Sequence, residues 1–138
     1  MVRLDGESLS LDDLSKIAEA SEPVELDARA AARVTSSRVV VDARAEGPEA
    51  AYGINTGFGS LADVRIAPAD LAALQVNLLR SHAAGVGEPL DIAAVRAMMA
   101  LRANVLAKGF SGIRLGTLHL LIDVLNHRVH PVVPAPTE

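Results

Sequence analysis

Three successive segments carry apolar residues three and four positions apart, and that spacing leaves one regular way to bury them, an α-helix. In "APADLAALQVNLLRSHAAG" (67–85) Leu71, Leu74 and Leu78 share a face, Pro68 and Asp70 suit the first turn, and Gly85 and Gly87 stop the run. "DIAAVRAMMALRANVLAKG" (91–109) places Ile92, Val95, Met98, Met99 and Val105 as an apolar stripe between an opening Asp and a closing Gly, and reads as a largely buried helix. "IRLGTLHLLIDVLNHRV" (113–129) aligns Leu115, Leu118, Ile122 and Leu125, before the prolines of "HPVVPAPTE" break every regular pattern.

Toward the N-terminus, "MVRLDGESLS" suggests a short strand or extended arm turning at Asp5-Gly6. Ser10 is placed to cap a first helix, with Asp13 in the capping-box position, Leu9 and Leu14 spaced for a hydrophobic staple, and Leu11, Leu14, Ile17 and Ala18 as its apolar stripe. After Pro23, Asp27 can cap a second helix, "DARAAARVTSSRVVVDARAEG", ending near Gly47-Pro48, although Val39-Val40-Val41 is β-prone. The expectation is a mainly α fold of residues 1–138 as a single domain, with an N-terminal arm and a Gly-rich loop. One Tyr, two Phe and no Trp mean a core of small aliphatic side chains, suited to closely packed helices. The net charge of −4 offers no patch for nucleic acid or an anionic membrane. With no Cys, no disulfide or thiolate zinc site can form, and no signal peptide or membrane span stands out, so a soluble cytoplasmic protein is expected.

The Gly-rich loop is "AYGINTGFGSLAD" (51–63). Gly53, Gly57 and Gly59 match neither the dinucleotide nor the P-loop spacing, so the bland alternative to a site is a long turn. What stands out is Tyr52 and Phe58 in a chain otherwise built from aliphatics. A phenol works as a general base only where its site stabilises phenolate. In "RSHAAGVGEP" (80–89), His82 ends a predicted helix just before glycines, and by itself reads as a capping or surface residue. His119, Asp123 and His127 lie four apart on the last helix; their bland reading, a solvated face with mild pairing, outweighs a zinc site because no fourth ligand is evident.

Taken together and in order, "YGINTGFGSLADVRI", "NLLRSHAAGVGEPL" and "LRANVLAKGFSGIR" resemble the N-terminal part of the aromatic amino acid lyase family, over about Leu4 to Pro134. Within that family, Ser81-His82 resembles the histidine-specific ammonia-lyase branch. The resemblance implies non-oxidative removal of ammonia from L-histidine to give urocanate, through an electrophilic methylidene-imidazolone formed from an internal Ala-Ser-Gly. It implies Tyr52 as the base for the β-proton, His82 with Ser81 holding the substrate side chain, and Gly53, Asn55, Thr56, Gly57, Phe58 and Gly59 as the loop that carries the base.

No Ala-Ser-Gly occurs in these 138 residues, and the one Ser-Gly follows Phe110. The β-proton of an amino acid is barely acidic, and a base without an electrophile has no accessible pathway. The reading is therefore of a chain truncated before the Ala-Ser-Gly region, without cofactor and inactive alone. The alternative is a non-catalytic helical module that associates with itself or with a full-length lyase, since family members are tetramers and the Ile92 to Leu106 stripe offers an apolar face.

Overall fold

The computed structural model describes residues 1–135. Its elements are β1 (Val2–Leu4), α1 (Leu11–Glu19), β2 (Val24–Leu26), α2 (Ala28–Glu46), α3 (Leu71–His82), α4 (Ile92–Ala107) and α5 (Leu115–Asn126). The chain divides into two compact units, one of residues 1–38 with the chain from Val86 onward, the other of Val39–Gly85.

In the first unit the local start and stop signals operate as expected. The Asp13 amide donates to Ser10 Oγ at 3.1 Å, and Ser10 Oγ donates to the Asp13 carboxylate at 2.7 Å, which closes the first turn of α1. Asp27 Oδ1 accepts the Arg29 and Ala30 amides at the start of α2, and Asp91 Oδ1 accepts the Ala94 amide at the start of α4. Valine-rich 39–41 is helical. The hydrogen-bonded ladder of a helix begun upstream outweighs the β preference of three residues.

β2 has no counterpart in the sequence reading. β1 and β2 pair in parallel with Val2 opposite Val24 and Leu4 opposite Leu26, α1 being the crossover. The free edge of β2 is covered by Asn126 at the end of α5, whose side chain accepts the Val24 amide and donates to the Val24 carbonyl, both at 2.9 Å.

The core gathers Leu4, Ile17, Val24, Val34, Val95, Met99, Ala100, Ala103, Leu118, Ile122 and Leu125. For α5 this is the face that periodicity indicates, with Leu115 packed at its margin. For α4 the expected stripe holds at Val95 and Met99, which are buried, and is corrected at Ile92, Met98 and Val105, which are exposed; the rest of the inward face is Arg96, Ala100, Ala103 and Ala107. Small residues win the inward face because α1 and α5 pack closely on it, and alanine lets backbones approach. Leu11, likewise expected in the α1 stripe, is exposed, whereas Ile17 is fully buried.

Buried Arg96 holds three elements at once. Its Nε donates to the Ile17 carbonyl at 2.9 Å and its Nη1 to the Leu125 carbonyl at 3.0 Å, with His130 Nε2 at 3.1 Å. Both carbonyls lie in the last turns of their helices, where partial negative charge accumulates. Burial, and then the nearby Arg128 charge, lower the Arg96 pKa from its ordinary value. Beyond α5 the chain runs back beside Glu88–Leu90, where the Leu90 amide donates to the Val133 carbonyl and the Ala135 amide to the Glu88 carbonyl. Among the described residues, no helix is long and apolar enough to cross a membrane.

Candidate active site

The second unit contains the whole Gly-rich loop together with α3, and its buried residues are polar or glycine: Asn55, Thr56 and Gly57. Hydrogen bonds therefore shape this segment more than apolar burial does. The last carbonyls of α2 have no partners within the helix, and the loop supplies them. Arg44's carbonyl accepts from Asn55 Nδ2 of the loop at 3.0 Å; just past the helix end, the Gly47 amide continues the ladder to the Ala43 carbonyl at 3.1 Å and the Gly47 carbonyl accepts from Arg65 Nη2 at 2.8 Å.

From this anchor the chain turns through Tyr52. The Asn55 side chain also accepts the Ala51 amide at 2.7 Å and donates to the Glu49 carbonyl at 2.9 Å. Thr56 Oγ1 donates to the Gly57 carbonyl at 3.0 Å and accepts the Gly53 amide at 3.4 Å, while Thr56 bridges to Arg65 in antiparallel fashion. The Gly57 amide reaches the Val64 carbonyl at 3.1 Å, and a Cβ on Gly57 would stand 2.6 Å from Leu61 Cβ. Only glycine permits so close a return of the chain. A turn of 3₁₀ helix, Gly59–Leu61, follows Phe58, and another, Pro68–Asp70, leads into α3, where the sequence suggested continuous α-helix.

Tyr52 stands out from this frame, 68% exposed, and its ring meets Phe58 edge-on with centroids 6.2 Å apart and planes at 75°. Tyr52 and Phe58 thus touch each other above a polar, internally bonded loop.

Ser81 and His82 form the last turn of α3. Ser81 Oγ donates to the Leu78 carbonyl at 2.9 Å; His82 Nδ1 lies 3.0 Å from that carbonyl and 2.9 Å from Ser81 Oγ. A carbonyl only accepts, so the neutral ring carries its proton on Nδ1, leaving Nε2 as an outward acceptor on an exposed residue. No hydrogen bond or ring contact joins this pair to the Tyr52 loop among the described residues.

The remaining candidates belong to the first unit. His119 and Asp123 are exposed on α5, and His127 lies just past its end with Nδ1 turned to the Asp123 carbonyl at 2.8 Å. Among the described residues no three His, Cys, Asp or Glu gather to hold a metal ion. The one Ser-Gly does not fit a methylidene-imidazolone precursor. Closing that ring needs the glycine nitrogen free, and the Gly112 amide is given to Ser37 Oγ at 3.1 Å while the Gly112 carbonyl takes Arg38 Nη1 at 3.2 Å.

Sequence reasoning named Asn55 only as one residue of the loop and not as its hub, and it missed Arg96 as a buried cation. For Arg96 a signal existed, because Arg96, Ala100, Ala103 and Ala107 follow helical spacing as well as the larger residues do.

Known proteins resemble this chain along nearly its whole length. The aromatic amino acid lyase family profile matches residues 9–136. Histidine ammonia-lyase of Myxococcus xanthus is 53% identical over 133 residues, covering 96% of this chain and 26% of that protein. Probable histidine ammonia-lyase of Halobacterium salinarum is 52% identical over 134 residues, again covering 26% of its length. Among solved structures, histidine ammonia-lyase from Trypanosoma cruzi superposes with TM-score 0.88 at 44% identity, covering 99% of this chain and 26% of that one. Tyrosine aminomutase from Streptomyces globisporus does so at 0.93 and 34%, with the same two coverages. The chain thus spans about a quarter of the length of the relatives it matches.

Proposed function

This chain belongs to the aromatic amino acid lyase family, and on that premise we propose that it supplies one portion of a histidine ammonia-lyase site. Tyr52 is the base for the substrate β-proton, His82 with Ser81 meets the substrate side chain, and the loop Gly53, Asn55, Thr56, Gly57, Phe58, Gly59 carries the base. The observation that supports this best is an exposed phenol on a rigidly bonded support: Tyr52 is 68% exposed while Asn55 beneath it is fully buried. His82 adds an outward imidazole acceptor suited to an N–H of a substrate imidazole or ammonium. Preference for histidine follows from relatives above 50% identity that are named histidine ammonia-lyases.

Family members generally use a methylidene-imidazolone electrophile, and these 138 residues hold no Ala-Ser-Gly to make one. The 138 residues by themselves therefore do not deaminate histidine. Exposed Ile92, Met98, Leu101 and Val105 on α4 favour a second reading beside the first, association with a further copy of the chain or with a full-length lyase.

Both readings are tested with the purified chain. With L-histidine alone, ultraviolet absorbance should show no urocanate above a blank, and steady production would overturn the proposal. Co-expression with the part of the Myxococcus xanthus enzyme that follows the matched segment should restore urocanate formation, and Tyr52→Phe should abolish it. Light scattering of the isolated chain should show a species larger than a monomer; a clean monomer at high concentration removes the self-association reading.

A further inference from the structure

We propose that Asn55 is a positioning residue that sets where the Tyr52 hydroxyl stands, an inference that rests on the reading of Tyr52 as base. Tyr52 cannot place itself: its ring is 68% exposed and touches Phe58 alone among aromatic rings of the described residues. The residue after it, Gly53, has a positive φ of 74° and open space where a side chain would be, and its amide makes only a long 3.4 Å bond to Thr56 Oγ1, so the turn is held weakly from that side. The residue before it is clamped twice. Ala51's amide donates to Asn55 Oδ1 at 2.7 Å, and its carbonyl accepts the Ile54 amide at 3.0 Å and the Asn55 amide at 3.1 Å, so the side chain of Asn55 is what holds the amide.

The clamp is itself fixed to a rigid element. Both Nδ2 hydrogens of Asn55 are used, one on the Arg44 carbonyl in the last turn of α2 at 3.0 Å and one on the Glu49 carbonyl at 2.9 Å. The Asn55 carbonyl accepts the Ile66 amide at 2.8 Å from the far side of the loop. The fully buried Asn55 side chain thus ties the end of α2 to the approach to Tyr52, and the main chain of the same residue holds the return of the loop. No other side chain of this size offers one acceptor and two donors in that arrangement; aspartate keeps only the acceptor and leucine keeps neither.

The experiment uses the chain's single tyrosine, which in the absence of tryptophan makes intrinsic fluorescence a report on Tyr52 alone. Asn55→Leu should enlarge the fast component of the fluorescence anisotropy decay and speed hydrogen exchange at the Ala51 amide by about tenfold or more. Asn55→Asp, which retains the acceptor for that amide, should fall between Asn55→Leu and the parent. Asn77→Leu, on the exposed surface of α3, should leave both readouts unchanged. Anisotropy and exchange in Asn55→Leu equal to the parent would overturn the inference, and so would Asn55→Asp behaving like the parent. In the co-expressed assembly, Asn55→Asp should lower kcat with KM for histidine little changed. If Tyr52→Phe retains turnover there, the base assignment falls while the anchoring measured by anisotropy stands. If Tyr52→Phe is dead and Asn55→Asp keeps full kcat, the positioning inference falls.

Discussion

Gly109→Ala should be among the most damaging single-methyl additions in the first unit, and the loss can be worked out from two independent causes. Gly109 follows α4 with φ of 81°, a left-handed conformation that costs an alanine about 1–2 kcal/mol. Its added Cβ would also lie 2.7 Å from Arg33 Cβ and 2.9 Å from the Arg33 carbonyl carbon. Those atoms are backbone and first side-chain carbon of α2, so relief requires displacing a 19-residue helix, and overpacking of this kind costs about 1–3 kcal/mol. The sum is about 2–5 kcal/mol. Gly116→Ala provides the contrast in the same unit, since Gly116 lies within α5 and a methyl added there would meet no atom within 4 Å. That change should stabilise by about 0.5–1 kcal/mol through helix preference. Urea unfolding followed by far-UV circular dichroism, with hydrogen exchange on α4 and α5 peptides, measures both. At a slope of about 2 kcal/mol per molar, Gly109→Ala should lower the midpoint by about 1–2.5 M and Gly116→Ala should raise it slightly. A Gly109→Ala protein within about 0.5 kcal/mol of the parent would refute the reasoning.

Two further outcomes follow from the first unit. Arg96→Met takes from the Ile17 carbonyl its Arg96 donor, at about 1–3 kcal/mol, while the Leu125 carbonyl keeps the Arg128 amide at 3.2 Å, so thermal unfolding should shift down by a few degrees; an unchanged or higher midpoint would mean that the buried charge was the larger burden. The Ser8 hydroxyl, then the Ser8 and Glu7 amides, hold the Asp5 carboxyl down at about 2, and the Ser10 hydroxyl chiefly lowers Asp13. Both carboxylates have folded pKa values below their unfolded ones, so their contribution is complete above about pH 4 and is lost as pH falls through the folded values. Melting temperature should therefore decline between about pH 4 and pH 2, and less steeply in Asp5→Asn; an identical slope would remove Asp5 from the account.

Much of the helical framework was legible because its signals are local. Ser10, Asp27 and Asp91 each bond amides two or three residues away, so the caps of α1, α2 and α4 can be read in a window of four residues. The Gly-rich loop was legible as a motif, although its composition suggested looseness where the structure shows a dense hydrogen-bond network around Asn55 and Thr56. Asn55 could not be recognised as the hub, because its partners include Arg44 and Ile66, which the loop brings back from eleven residues on either side. The inward face of α4 was read correctly at Val95 and Met99 but not at Ile92, Met98 and Val105, because large apolar residues were weighted above alanines, whereas close packing of α1 and α5 selects the smaller side chains.

By itself the sequence determined where the helices begin and end and which family the chain belongs to, since caps, periodicity and motif blocks are all written within a few residues of one another. Tertiary structure alone decided the parallel pairing of Val2–Leu4 with Val24–Leu26, the burial of Arg96 and the fixing of Tyr52 through Asn55. Each depends on which distant group can reach a buried donor or acceptor. Gly6 meets Asn104 across 98 residues, and Val24 meets Asn126 across 102. No local pattern encodes such partners, because a buried polar group must be paired but nothing in its neighbourhood specifies with whom.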